Sequence, residues 1–367
     1  MGAQLGNSVE FYVGPPVLGA PDDLDAVVCG FIAKAKSELL VAVQELDSLT
    51  ITTALLAAKK AKVRVRVILE GDYLVEPKPL PDPWTTGGDY EANRSIHSAL
   101  LRAGIDVITD LNPAIFHQKF LVRDDRGNGA AVLTGSTNFT LTDTGTNPAT
   151  NTVKVGNNLN HIVVLHGQRA VNQYRAEFDR LRSGTFGELH ERHEPRPAEF
   201  TLAKIRIKPV FAPEQGPEME IMKQMLKAKT SIDFVMFTFA QSSGIDDTMF
   251  RLVPSLTRLR GALDREQGAQ AWAATQPLKQ AGVQLFQNKP GTGVRKIHHK
   301  LMVIDERLVI AGSFNYTGPA GTLNDENILV LGDLEETNPA AETAQRQLAA
   351  YALAEIERII TDLCEPV

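Results

Sequence analysis

Apolar residues in this chain fall into short runs separated by amphipathic stretches, a pattern that predicts strands alternating with helices. Val9 to Val13 reads as a strand and Asp22 to Ser37 as a helix. Leu39 to Val43 is an unbroken apolar run, as a buried strand should be. Thr50 to Lys62 predicts a helix, Val63 to Leu69 a strand, Glu91 to Ala103 a helix and Asp106 to Thr109 a strand. Phe120 to Val122, Ala131 to Leu133 and Ile162 to Leu165 add short strands. In the second half, Glu218 to Lys229 predicts a helix, Ile232 to Phe239 a strand and Val283 to Phe286 another. Leu301 to Ile304, Leu308 to Ala311 and Ile328 to Leu331 follow as strands, and Glu335 to Leu363 as a long terminal helix broken near Pro339. Such alternation implies a layered α/β fold.

The chain is also written twice. HQKFLVRDD at 117–125 is echoed by HHKLMVIDE at 298–306, GSTNFT at 135–140 by GSFNYT at 312–317, and NLNHIVVL at 158–165 by NDENILVL at 324–331. The histidines are 181 residues apart and the Gly-Ser pairs 177 apart. Three motifs in one order at nearly constant offset argue for duplication. The expected organisation is a first lobe over 1–185, a polar, proline-bearing linker over 186–203 and a second lobe over 204–367.

Bulk composition narrows the class without naming an activity. The 367 residues are 43% apolar and 22% charged, which fits a globular protein. The apolar runs are far shorter than the roughly 20 residues that span a bilayer, so no stable membrane insertion is expected. The N-terminal MGAQLGNSVEF has no basic segment leading into an apolar one, so a cytoplasmic location is expected; a secreted form with its leader removed fits the same residues. Cys29 and Cys364 suggest no disulfide framework. The net charge of -6 excludes a protein that coats nucleic acid non-specifically, so any polyanion must be drawn in locally.

The repeated motifs carry the candidate chemistry. Each half holds His-x-Lys with an Asp five residues after the lysine: His117, Lys119 and Asp124, then His298, Lys300 and Asp305. On a strand, residues i and i+2 share a face, so each His projects with its Lys. Each half also holds Gly-Ser-x-Asn, giving Ser136 with Asn138 and Ser313 with Asn315, after the strands AAVLT and RLVIA. A lone His-x-Lys occurs in many proteins, and a lone Gly-Ser-x-Asn is an ordinary turn. Both together, twice and in register, make a working set. Two histidines can divide the labour of nucleophile and general acid. Two lysines and two asparagines can stabilise phosphoryl oxygens as their charge develops. The set requires no metal or other cofactor, because the lysines already neutralise phosphate charge.

Duplicated HxKxxxxD and GSxN motifs resemble the phospholipase D superfamily, over most of the chain. That family includes phospholipases, phosphatidyl transferases, nucleases and tyrosyl-DNA phosphodiesterases. The resemblance implies two similar lobes related by a pseudo-two-fold axis, each a mixed β-sheet flanked by helices, with the active site at their interface. It implies ping-pong chemistry through a covalent phosphohistidine, within a single chain. His117 resembles the nucleophile and His298 the general acid. Lys119, Lys300, Asn138 and Asn315 resemble the phosphate clamp, and Ser136 and Ser313 their supports. Asp124 and Asp305 are expected to be structural. Glu326 stands where the family often has a carboxylate that orients a catalytic histidine, and is expected to reach across to His117. Its first-half counterpart is Asn160, which leaves His298 with Asn160 or nearby Asp143.

Weaker features bear on the substrate. Lys289, Arg295 and Lys296 precede the second histidine and would guide a polyanion, or simply form a solvated turn. The long segment from Asp72 to Asn93 offers Trp84 and Tyr90 for stacking on a base or meeting a lipid, and is equally a plain surface excursion. The polar loop from Asp143 to Asn158 would line the cleft. Three substrate classes follow: a nuclease on single-stranded DNA or RNA, a phospholipase or phosphatidyl transferase, and an inactive scaffold. The nuclease is ranked first, because no amphipathic helix rich in Lys and Trp marks a lipid-surface enzyme and the GSTNFT and GSFNYT segments resemble nuclease-like members.

Overall fold

The computed structural model describes residues 2–127, 129–145, 157–190 and 198–367. The strands of the first half are β1 (Ala3–Leu5), β2 (Val9–Gly14), β3 (Glu38–Val43), β4 (Arg64–Leu69), β5 (Asp106–Thr109), β6 (Lys119–Arg123), β7 (Ala131–Gly135) and β8 (Asn158–His166). Those of the second are β9 (Phe200–Leu202), β10 (Ile205–Ala212), β11 (Ser231–Met236), β12 (Arg258–Leu263), β13 (Gln284–Asn288), β14 (Lys296–Ile297), β15 (Lys300–Ile304), β16 (Leu308–Gly312), β17 (Glu326–Leu331) and β18 (Cys364–Pro366).

The first sheet runs β1-β2-β8-β7-β6-β3-β4-β5, and the second runs β9-β10-β17-β16-β15-β11-β12-β13 before ending on β18. Strand for strand, the two orders are the same. β3, β4 and β5 are parallel, as β11, β12 and β13 are, and the other neighbours along these two orders are antiparallel. The register repeats as well: Lys119 pairs with Val43 on β3, and Lys300 pairs with Met236 on β11. Residues 38–43 and 231–236 are buried on both faces, which is why Leu39 to Val43 reads as an unbroken apolar run and not as an alternating one.

The lobes share a core. Tyr174, on the helix Gln168–Arg182 of the first lobe, packs edge-on against Phe211 of β10. Tyr351, on the terminal helix Pro339–Arg358, packs edge-on against Phe11 of β2. One apolar cluster accordingly draws on both sheets, with Phe11, Val163, Tyr174, Phe211, Val303 and Leu348 among its members. β14 crosses the boundary and pairs in parallel with β8.

Several boundaries differ from the sequence reading. The first helix is Leu24–Ala33, capped by Asp23, because Asp124 ties down the backbone of Lys36, Ser37 and Glu38 before the next strand. Pro339 does not break the terminal helix but begins it: Asn338 caps the first turn, where the missing proline N–H costs nothing. The helix read at Glu218 to Lys229 is Pro217–Met225. Phe200–Leu202, read as linker, pairs as β9, while 191–197 lie outside the described residues. The helices Gln168–Arg182 and Ile245–Leu252 and the strands β10 and β12 were not read at all. Among the described residues, no helix is long and apolar enough to cross a membrane.

Candidate active site

Each His-x-Lys motif begins where a strand enters its sheet beside the other lobe. The backbone N–H of His117 donates to the carbonyl of Asp325 at 2.9 Å, and that of His298 donates to the carbonyl of Leu159 at 3.0 Å. Each histidine is thus anchored to the opposite lobe before its side chain is considered. Both imidazoles line one cleft of about 550 Å³, together with Asn138, Asn315, Asp143 and Asn324.

The second contact of each ring also crosses the boundary. His117 Nδ1 lies 2.7 Å from Glu326 Oε2, and His298 Nδ1 lies 2.8 Å from Asn160 Oδ1. Neither acceptor floats. The Ser313 hydroxyl donates to Glu326 at 2.6 Å and accepts from the Asn327 N–H at 3.0 Å. The Ser136 hydroxyl donates to Asn160 at 2.8 Å and accepts from the His161 N–H at 3.1 Å. The glycines before these serines are required by close approach. A Cβ on Gly135 would meet the His161 carbonyl oxygen at 2.3 Å, and one on Gly312 would meet that of Asn327 at 2.3 Å. With Nδ1–H engaged, each neutral ring presents an unprotonated Nε2.

The lysines lie beneath the histidines. Lys119 and Lys300 are only 1% and 3% exposed. Lys119 Nζ donates to the His117 carbonyl at 3.0 Å and to Gln44 at 3.1 Å; Lys300 Nζ donates to the His298 carbonyl at 2.8 Å. The amide oxygens of Asn138 and Asn315 have no hydrogen-bond partner among the described residues. Asp124 and Asp305 stand away from the cleft and act alike. Asp124 accepts from the backbone of Lys36, Ser37 and Glu38 and from the Ser37 hydroxyl. Asp305 accepts from the backbone of Lys229, Thr230 and Ser231 and from the Thr230 hydroxyl.

Burial and two cations set the charge states. Burial, then Lys119 and Lys300, hold His117 well below the usual imidazole range. Burial, then Lys300, Lys119 and His117, do the same to His298. Burial brings Lys119 down to about 8 and holds Lys300 well below its usual value too. Burial pushes the Glu326 carboxyl up, while Lys119, Ser313 and Lys300 pull it back. Two donors, the His117 ring and the Ser313 hydroxyl, converge on its Oε2, and both favour the ionised form. The cleft therefore holds neutral histidines over two crowded lysines, an arrangement that favours an incoming anion.

The remaining candidates divide. Arg295 and Lys296 line the cleft, and so do the described ends, Asp143 and Asn158, of the loop whose middle (146–156) lies outside the described residues. Trp84 does not: it is 94% exposed in its loop and absent from the cleft wall. Lys289 is also away from the wall, its backbone bonded to Leu363. Tyr90 packs against Tyr73, which does line the cleft. Sequence reasoning missed Gln44, Glu45, Asp47, Tyr73, Phe237 and Thr238. Four of these follow directly on β3 or β11, the first strands of the parallel sets, at the carboxyl ends where open α/β sheets place their ligands. No group of three or more His, Cys, Asp or Glu among the described residues could hold a metal ion.

Comparison with known proteins agrees with this architecture. The family profile described as cardiolipin synthase, phospholipase D-like domain, matches residues 28–182 and 221–348. A mitochondrial cardiolipin hydrolase of Chlamydomonas reinhardtii is 34% identical over 106 residues, 29% of this chain and 46% of the relative. A phospholipase D of Rickettsia conorii is 29% identical over 140 residues, 36% of this chain and 65% of the relative. The chain thus spans about half to two-thirds of the length of these relatives. The phosphatidylserine synthase of Haemophilus influenzae superimposes with a TM-score of 0.66 at 13% identity, over 100% of this chain and 88% of that one, which establishes the shared fold. Since the profile covers both halves, motif by motif, the chain belongs to the phospholipase D-like family.

Proposed function

We propose that the protein is a phosphodiesterase that cleaves phospholipid head groups through a covalent phosphohistidine on His117. The observation that carries the chemistry is the pairing of His117 with a carboxylate and of His298 with a neutral amide. Glu326 holds His117 in the tautomer whose Nε2 is free, and its charge stabilises the imidazolium formed on attack. Among the described residues His298 Nδ1 has only Asn160 at hydrogen-bond distance, with the Asp143 carboxylate farther off at 3.6 Å, so its cation is held less firmly and gives up a proton more readily.

In the first step, Nε2 of His117 attacks phosphorus and the bond to the head-group oxygen breaks. That oxygen takes the proton from Nε2 of His298. The phosphate charge of the bound substrate offsets Lys119 and Lys300 and favours the protonated His298 this step needs. In the second step, water gives a proton to His298 and attacks phosphorus, and the bond to His117 breaks. Lys119, Lys300, Asn138 and Asn315 stabilise the phosphoryl oxygens throughout.

The phospholipid reading is supported by relatives named cardiolipin hydrolase and phospholipase D, and by the fold shared with a phosphatidylserine synthase. It takes precedence over the nuclease that the sequence ranked first, because the named relatives do not favour a nuclease. The test is release of head group from phospholipid in mixed micelles with excess EDTA, for wild type and His117→Ala, with end-labelled single-stranded DNA and RNA in parallel. Lipid cleavage lost in the variant is the expected result. Cleavage of oligonucleotide alone would return the assignment to a nuclease.

A further inference from the structure

The loop that delivers His117 is stitched to one short segment of the other lobe. The Asp325 N–H donates to the Ile115 carbonyl at 3.0 Å, and the Asp325 carbonyl accepts the His117 N–H at 2.9 Å. The Asn112 side-chain amide donates to the Leu323 carbonyl at 2.9 Å and to Asp325 Oδ2 at 2.8 Å. Asp325 thus sets the backbone of His117, while Glu326, its next neighbour in the chain, holds the ring.

The duplication makes Leu159 the equivalent residue of the first lobe, and its carbonyl accepts the His298 N–H at 3.0 Å. Leu159 is an apolar core residue. Asp325 is just as deep, 0% exposed, yet carries an acid, and a charge at that depth needs a partner. The partner comes from the stretch that the sequence marks as a linker. The Gly187 N–H donates to Asp325 Oδ1 at 2.9 Å, and His190 Nε2 lies 3.2 Å from the same oxygen.

His190 is itself buried and has an acid at each ring nitrogen, Asp325 at Nε2 and Glu214 at Nδ1, the latter at 3.5 Å. Glu177, paired with Arg180 on the helix Gln168–Arg182, adds negative charge nearby. Burial opposes the imidazolium, but the Asp325 hydrogen bond, Glu177 and Glu214 outweigh it and raise His190 to about 9. Neither His190 nor Asp325 lines the catalytic cleft. We infer that His190 is a positioning residue for the nucleophile: its imidazolium holds the Asp325 side chain, and Asp325 holds the His117 backbone where the ring can meet both Glu326 and phosphorus. The general acid has no matching clamp, since Leu159 offers no side-chain acceptor. The inference rests on the reading of His117 as the nucleophile of a phospholipid-cleaving enzyme.

The experiment follows release of p-nitrophenol from its phosphatidyl ester in detergent micelles by rapid mixing, so that the first turnover reports attack by His117. His190→Gln should slow that turnover by roughly 10- to 100-fold, the effect of a small misplacement of a reacting group. KM should change little, because His190 is out of reach of substrate. Adding Asp325→Asn to His190→Gln should recover most of the rate, since no buried acid is then left without its cation. In wild-type protein with isotope-labelled histidine, both ring nitrogens of His190 should carry protons at pH 7.5, a test that stands even where the variant does not fold. A neutral His190 ring, a folded His190→Gln whose first turnover is unchanged or whose loss is confined to KM, or a double variant no faster than the single one overturns the inference and leaves the nucleophile in place. No release by wild type, or release that survives His117→Ala, overturns the reading on which it rests.

Discussion

The carboxylate of Glu326 lies 2.7 Å from Nδ1 of His117 across the boundary between the lobes, where Nδ1 of His298 has the amide oxygen of Asn160 at 2.8 Å and the Asp143 carboxylate farther off at 3.6 Å. A nearly symmetric fold thus becomes a chemically asymmetric site through one pair of residues. Replacing Glu326 with Gln should preserve the fold and lower kcat by roughly 10²–10⁴-fold, the range seen when a histidine loses its orienting carboxylate. Steady-state kinetics beside a thermal unfolding curve would check this; a variant with unchanged kcat would remove Glu326 from the mechanism.

The buried lysines predict an alkaline limb. Burial has brought Lys119 down to about 8, and its charge is present below that value and lost above it. The log of kcat/KM should therefore bend downward above about pH 8. His117, held well below its usual range, should stay neutral and competent under mildly acidic conditions. A pH profile on a single lipid substrate checks both limbs.

A second histidine pair, outside the cleft, should make the protein sensitive to acid. The Gly312 N–H donates to His161 Nε2 at 3.1 Å, so His161 must donate from Nδ1 to His299 Nδ1 at 3.1 Å, and His299 Nε2 then faces Glu355 at 3.3 Å. The stacked rings fit only when both are neutral, and burial holds both below the usual imidazole range, with Lys300 and Arg358 adding to it and Glu355 opposing. An unfolded histidine takes up a proton below about pH 6.5 while the folded pair does not. Stability is thus unaffected above that pH and falls below it, by up to about 1.4 kcal/mol per pH unit for each ring. The equivalent contact on the other side of the pseudo-axis is Gln118 with Asn327, whose amides meet at 2.7 Å. The double variant His161→Asn with His299→Gln copies that contact and should flatten the acid dependence. Urea unfolding at pH 5.5 and 7.5 reads the difference.

Asp124 and Asp305 should matter to stability and not to the chemical step. Each gathers backbone donors from the turn that leads into the first parallel strand of its lobe. Alanine at Asp124 should cost on the order of 2–3 kcal/mol, since its donors are partly buried. Asp305 serves a more exposed turn and should cost less. Denaturant titration of both variants, with kcat measured below the unfolding transition, separates the two effects.

Much of the site could be read from the sequence because duplication prints the same chemistry twice. His117, His298 and their lysines, serines and asparagines were each marked by an echo at a matching offset. What could not be read were the residues that break the repeat or carry no motif. Glu45 and Thr238 occupy equivalent positions but differ in kind, so self-comparison does not find them; only the register of β3 against β6 and β11 against β15 brings them to the cleft. Trp84 had the right chemistry, but its loop is tied down locally, for instance by Arg94 to Glu76 and Gly87, and leaves the ring in solvent. Strand β10 was missed because Lys208 and Pro209 interrupt its apolar run; Lys208 is accommodated there by an ion pair with Glu220 at 2.8 Å.

The most direct test of the account is to trap the covalent intermediate. A phosphatidyl ester of p-nitrophenol has a leaving group that needs no general acid, so His298→Ala should still be attacked but should stall before hydrolysis. Alkaline quench and peptide mass spectrometry should then find the phosphatidyl adduct on His117. An adduct on another residue, or sustained turnover of this ester by His117→Ala, would contradict the assignment of the nucleophile and the mechanism built on it.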